Sequence, residues 1–205
     1  MKIPKFTGTD KQKVNAIAKW LYTEFKRVRV TPEQMSNDLF NRTVNKVIEE
    51  KKLCYNVPCA DSAGVAAEAL LENGIPAWIV LEKKIHKNGE ESFHLSTEFI
   101  VDGKPNHLKV TRSEVSIVSG NRTTTSYRPV VKKVEIVQPI GARSVLSLFG
   151  VNSRDDMAKV LNGFDWKKMD RNFKKQKSRL HFRMTAARRF FWQKYAGIFS
   201  RWRRK

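Results

Sequence analysis

At 205 residues, with 40% hydrophobic positions, the chain has room for one compact core and an appendage. No apolar run suits a signal peptide or a membrane span, and two cysteines, Cys54 and Cys59, are too few for a disulfide framework. A cytoplasmic protein, soluble or peripheral at a membrane, is therefore expected. The net charge of +20 is unevenly placed: fifteen basic and two acidic residues fall between Asp165 and Lys205, so +13 belongs to the last 41 positions.

Thr9 or Asp10 caps a first predicted helix whose apolar positions Val14, Ile17, Leu21 and Phe25 recur at helical spacing. Thr31-Pro-Glu-Gln34 has the pattern of a second start, and Met35, Leu39, Val44, Val47 and Ile48 give that helix one buried side. A third helix is expected from about Cys59. Its stripe of Ala63, Ala66, Ala67 and Leu70 allows a close neighbour, and Asn73-Gly74 before Pro76 stops it.

Strands follow. Ala77 to Leu81 is short and β-rich, and Asn88-Gly89 marks a hairpin. From Phe93 to Val101 the residues alternate, with Phe93, Leu95, Phe99 and Val101 on one face and His94, Ser96 and Glu98 on the other. Asp102-Gly103 turns the chain into Lys104 to Val110. Val115 to Val118 and Val130 to Val137 complete an expected antiparallel meander, giving an α+β fold class. Beyond Pro139 the pattern predicts short helices at Arg143 to Phe149 and from Ser153 to about Leu161, then a basic amphipathic helix from Asp165 nearly to the end.

The residues that carry chemistry are Cys59 and His94. A thiol attacks only as thiolate, and a helix N-terminus or a neighbouring imidazole lowers its pKa from about 8.5. Cys59 stands at a predicted helix start, and His94 opens a strand two elements later. Two readings fit these positions: a nucleophile and its base, or a small buried cysteine and a surface histidine. Cys54 precedes the helix in a loop and reads as structural. The histidines His86, His94, His107 and His181 are scattered, and neither a metal-ligand spacing nor a phosphate-binding glycine loop occurs, so no metal or cofactor is expected.

The string from Pro58-Cys59-Ala-Asp-Ser-Ala-Gly to Gly74-Ile-Pro-Ala-Trp78 resembles the nucleophile segment of the transglutaminase-like superfamily. His94-Leu-Ser-Thr-Glu-Phe-Ile-Val-Asp-Gly-Lys resembles its histidine strand. The resemblance covers about residues 54 to 110 and implies a papain-like core with Cys59 as nucleophile and His94 as base. The family places an acid on the following strand, where this chain has Lys109. A lysine accepts no hydrogen bond from an imidazole, which leaves Asn106 or His107 as substitutes. Glu98 shares the face of His94, and Trp78 is a candidate shield for the thiol.

The expected organisation is a transglutaminase-like α+β domain over residues 1–140 and a helical, strongly basic extension over 141–205. An active protein would transfer the acyl group of a protein or peptide amide to water or to an amine. The alternative is a non-catalytic binding module. In that case residues 165–205, rich in Arg, Lys, Trp and Phe, hold an anionic surface, either lipid or nucleic acid. A helix that lays its aromatic side on the domain explains the same period.

Overall fold

The computed structural model describes residues 2–28, 30–54, 60–85, 89, 91–110, 115–119, 130–168 and 170–171. The first helix, α1 (Asp10–Glu24), starts where its capping chemistry dictates. Thr9 accepts from the backbone N–H of Gln12, and the Gln12 side chain returns to the Thr9 N–H. Val14, Ile17 and Leu21 are buried on its inner face. Strand β1 (Lys26–Val28) follows, then α2 (Pro32–Asn41), which opens with a second capping box between Thr31 and Gln34.

One long helix was expected from Thr31 to Ile48, and the chain forms two. At Arg42 the backbone turns extended (ψ 115°), and Thr43 caps a new helix, α3 (Val44–Glu50), by accepting from the Lys46 N–H. Lys51 then takes a left-handed conformation, and β2 (Lys52–Cys54) pairs in parallel with β1. These two three-residue strands carry no periodic signal of their own.

Helix α4 (Ala60–Glu72) is buried at every position from Ala60 to Leu70. Its small residues permit this. A Cβ on Gly64 would lie 2.5 Å from Val145 Cγ2 and 2.8 Å from Val44 Cγ2. At the C-terminus Gly74 takes φ 73°, the left-handed stop that Asn73-Gly74 announces.

The remaining strands are β3 (Ala77–Ile85), β4 (Glu91–Val101), β5 (Lys104–Val110), β6 (Val115–Ser119) and β7 (Val130–Ile136). They form a five-stranded antiparallel sheet in the order β6-β5-β4-β3-β7. The sequence suggests a simple meander. Instead β7 returns to the far edge and pairs with β3, with Ala77 opposite Ile136. Asp102 and Gly103 both have positive φ (54° and 70°), as a tight two-residue hairpin requires.

One face of the sheet carries α4. Thr97 Oγ1 donates to the Ala63 carbonyl at 2.9 Å, which fixes the odd-numbered residues of β4 on the helix side. Phe93, Leu95 and Phe99 accompany it in the core. Phe93 meets Phe164 edge-on at 5.7 Å between ring centroids.

The helix expected over Arg143 to Phe149 is a 3-10 turn (Leu146–Phe149) closed by Gly150 in the left-handed region (φ 75°). Ser153 caps α5 (Arg154–Val160) as the sequence predicts. Leu146, Phe149, Val151, Met157, Leu161 and Phe164 are all buried. Met1–Phe164 forms one compact unit and Asp165–Lys205 a second. The long basic helix expected there lies, from residue 172 onward, outside the described residues. No helix among the described residues is long and apolar enough to cross a membrane.

Candidate active site

Cys59 lies outside the described residues; its neighbour Ala60 is the first residue of α4. The first turn of α4 and the end of β2 are braced together. Asp61, in the first turn of α4, accepts from the backbone N–H of Cys54 at 2.9 Å and from Arg42 Nη1. Arg42 Nη1 also donates to Cys54 Sγ at 3.2 Å, while its Nη2 reaches Glu50 Oε2 at 2.8 Å and the Lys52 carbonyl at 3.0 Å. The Arg42 and Asp61 side chains are 4% and 6% exposed, so this pair is held out of water.

The electrostatics follow from that burial. Desolvation pulls against the charge on Arg42, yet Asp61, Cys54 and Glu50 together hold its pKa above the ordinary value. Burial raises the Asp61 carboxyl, and Arg42 and the Cys54 N–H offset only part of that rise. The Cys54 thiol is pushed up to about 12, first by burial and then by the charge of Asp61. Cys54, which the sequence suggests lies in a loop, ends strand β2, and its raised pKa favours the protonated thiol at neutral pH.

His94 sits on β4, half-buried. The β3–β4 register is unbroken from Ala77 opposite Phe99 to Ile85 opposite Glu91. Strand alternation therefore sends His94 to the face opposite Thr97 and α4. On that face its direct partner across the strands is Glu82 of β3. Glu82 is 5% exposed. Side chains directly opposite in an antiparallel pair stand with Cβ atoms about 4.5–5.5 Å apart. Ser96, two positions along β4, is also buried on this face, and its hydroxyl has no hydrogen-bond partner. An orphan hydroxyl in the interior is uncommon.

The candidates for a third member separate by face. Asn106 is opposite Phe99, on the α4 side, and is engaged locally: Nδ2 donates to the Lys104 carbonyl and Oδ1 accepts from Ser119, both at 2.8 Å. His107 is opposite Glu98, on the His94 side, with Nε2 4.0 Å from Glu98 Oε2. Lys109 occupies β5 opposite Ser116 of β6. Glu98 is tied to Lys133 by an ion pair, and Lys133 Nζ lies 4.8 Å from the Trp78 ring centroid. Glu98 and Trp78 are thus engaged with β7.

Glu82 was invisible to the pattern because it belongs to a run, Leu81-Glu-Lys-Lys, that reads as the polar end of a strand. Its place emerges only from pairing. Arg42 and Asp61 lie nineteen positions apart, and a signal was present in one of them: an acid in the first turn of α4. Among the described residues no group of three or more His, Cys, Asp or Glu could hold a metal ion. The chain matches no family model, no curated protein and no solved structure, so the resemblance rests on its own residues.

Proposed function

We propose that the chain is a transglutaminase-like thiol acyltransferase in which Cys59 is the nucleophile and His94 the base. The single observation behind this reading is the buried carboxylate of Glu82 directly across from His94. A carboxylate there can accept an imidazole N–H, fix the tautomer and favour the imidazolium, the role for which Lys109 is chemically unfit.

The chemistry then runs in two halves. The Cys59 thiolate attacks an amide carbonyl carbon, and the C–S bond forms as the carbonyl π electrons move to oxygen. His94 delivers its proton to the amide nitrogen as the C–N bond breaks, leaving a thioester. Water or an amine then attacks the thioester carbon while His94 takes its proton, and the C–S bond breaks to release the acid or the new amide and return the Cys59 thiolate. Because His94 faces away from α4, the reading requires the Cys59 sulfur to come within reach of that face.

Alkylation by iodoacetamide against pH tests this directly, since Cys54 with its pKa of about 12 stays silent. Cys59 is expected to react with an apparent pKa at least about one unit below the free value near 8.5. His94→Ala should return it to the free value, and Glu82→Gln should move it part of the way. A Cys59 thiol that titrates as a free one in the unaltered protein, unmoved by His94→Ala, sinks the proposal.

A second reading, a non-catalytic module that holds an anionic surface, is favoured by one specific feature. Fifteen basic and two acidic residues, interleaved with aromatics, fill Asp165 to Lys205. Lys and Arg at that density neutralise phosphates without reading sequence, and the aromatics suit a lipid headgroup layer.

A further inference from the structure

On the helical side of the sheet, away from His94, α1 and the strands β4 to β6 border a half-open cavity of about 320 Å³. Its base is apolar: Val14 and Phe99 are buried beneath it, and Ile117 forms part of the wall. Beside them stands the buried Asn106. Its carboxamide gives one Nδ2 proton to the Lys104 carbonyl, and an amide nitrogen carries two. Two exposed ammonium groups, Lys11 on α1 and Lys104 on β5, stand at the rim with Asp102 of the hairpin turn.

We infer that this cavity binds a small monocarboxylate with an apolar body, an aromatic or branched aliphatic acid. The volume lies at the low end of ligand pockets, about 300–1,000 Å³, which suits a compact molecule. The apolar base takes the body. The carboxylate lies between the two ammonium groups and within reach of the Asn106 amide. Asp102 leaves the rim with a single net positive charge, which balances one negative charge and leaves a second uncompensated. The site lies on the sheet face opposite His94 and Glu82.

The test is a ¹H–¹⁵N NMR titration of the full chain with phenylacetate, with its neutral shape-match phenylacetamide, and with inorganic phosphate. Phenylacetate should give saturable shifts at the amides of Val14, Phe99 and Ile117. Phenylacetamide should bind roughly two- to fivefold more weakly, the range that exposed ion pairs support. Lys104→Glu, a surface change in a strand next to a turn, should weaken phenylacetate by at least as much and leave phenylacetamide unaffected. Absence of saturable shifts overturns the inference, as does equal binding of the neutral amide. Phosphate occupying the site as well as phenylacetate overturns the assigned ligand class.

Discussion

Arg42 shows how one side chain can join three elements. Its fork joins Asp61 at the α4 start, Cys54 at the end of β2 and Glu50 at the end of α3. Removing the cation leaves the Asp61 carboxylate buried without its partner, so Arg42→Met should cost about 3–5 kcal/mol in a urea titration. The double variant with Asp61→Asn should cost less than the sum of the two single losses.

Glu68 makes a pH prediction. Burial raises its pKa above the reference value of 4.5, although the backbone N–H groups of Ile140 and Gly141 favour its charge. The folded state therefore binds this proton more tightly than the unfolded chain does. Its contribution to stability is full below pH 4.5 and is lost as pH rises through the higher folded value. Glu68→Gln should flatten that fall in urea midpoints measured across the window. Of these residues the sequence displays only identities. Cys59 could be singled out because a helix start has a local signature, and His94 because strand alternation does, although β4 starts three residues before it. Arg42, Asp61, Glu68 and Glu82 act through partners set by tertiary contact or strand register.

The elements themselves were mostly legible, and the failures have local causes. Thr9 and Thr31 announce α1 and α2 because a capping box is written in four consecutive residues. The break at Arg42 was hidden, since Met35, Leu39, Val44 and Val47 keep an apolar sequence across it. Thr43 was the available sign, but without an acid or amide three residues on it makes half a capping box. The placement of β7 could not be read, because its burial pattern is mostly exposed and suits an edge without saying which one. Helix α4 gives the sharpest test at this scale. Gly64→Ala places a methyl where Val145 and Val44 already stand. The melting temperature should fall by the equivalent of about 1–3 kcal/mol, the usual cost of overpacking. Val145→Ala in the same chain should recover part of that loss.

At the scale of the whole molecule, charge divides the chain more sharply than composition does. Residues 172–205 hold twelve basic and no acidic side chains. Ending the chain at Arg171 should therefore remove most of its retention on heparin and on anionic liposomes, each followed against salt. If phosphate contact dominates, the logarithm of the binding constant should fall linearly with the logarithm of salt concentration, with a slope set by the number of phosphates neutralised. Capture by liposomes that survives salt better than heparin binding would mark the aromatic side chains as the anchor. A shortened chain retained like the full one removes the segment from the account.

Strands β3 and β4 lie inside the sheet, each hydrogen-bonded to a neighbour on both sides. Fraying begins at the borders, so β6 and β7 can open and close while the backbone beneath Glu82 and His94 stays fixed. Amide protons there should exchange with solvent only when the whole unit melts. The spacing of Glu82 and His94 is thus set by the two strands that have a hydrogen-bonded neighbour on each side.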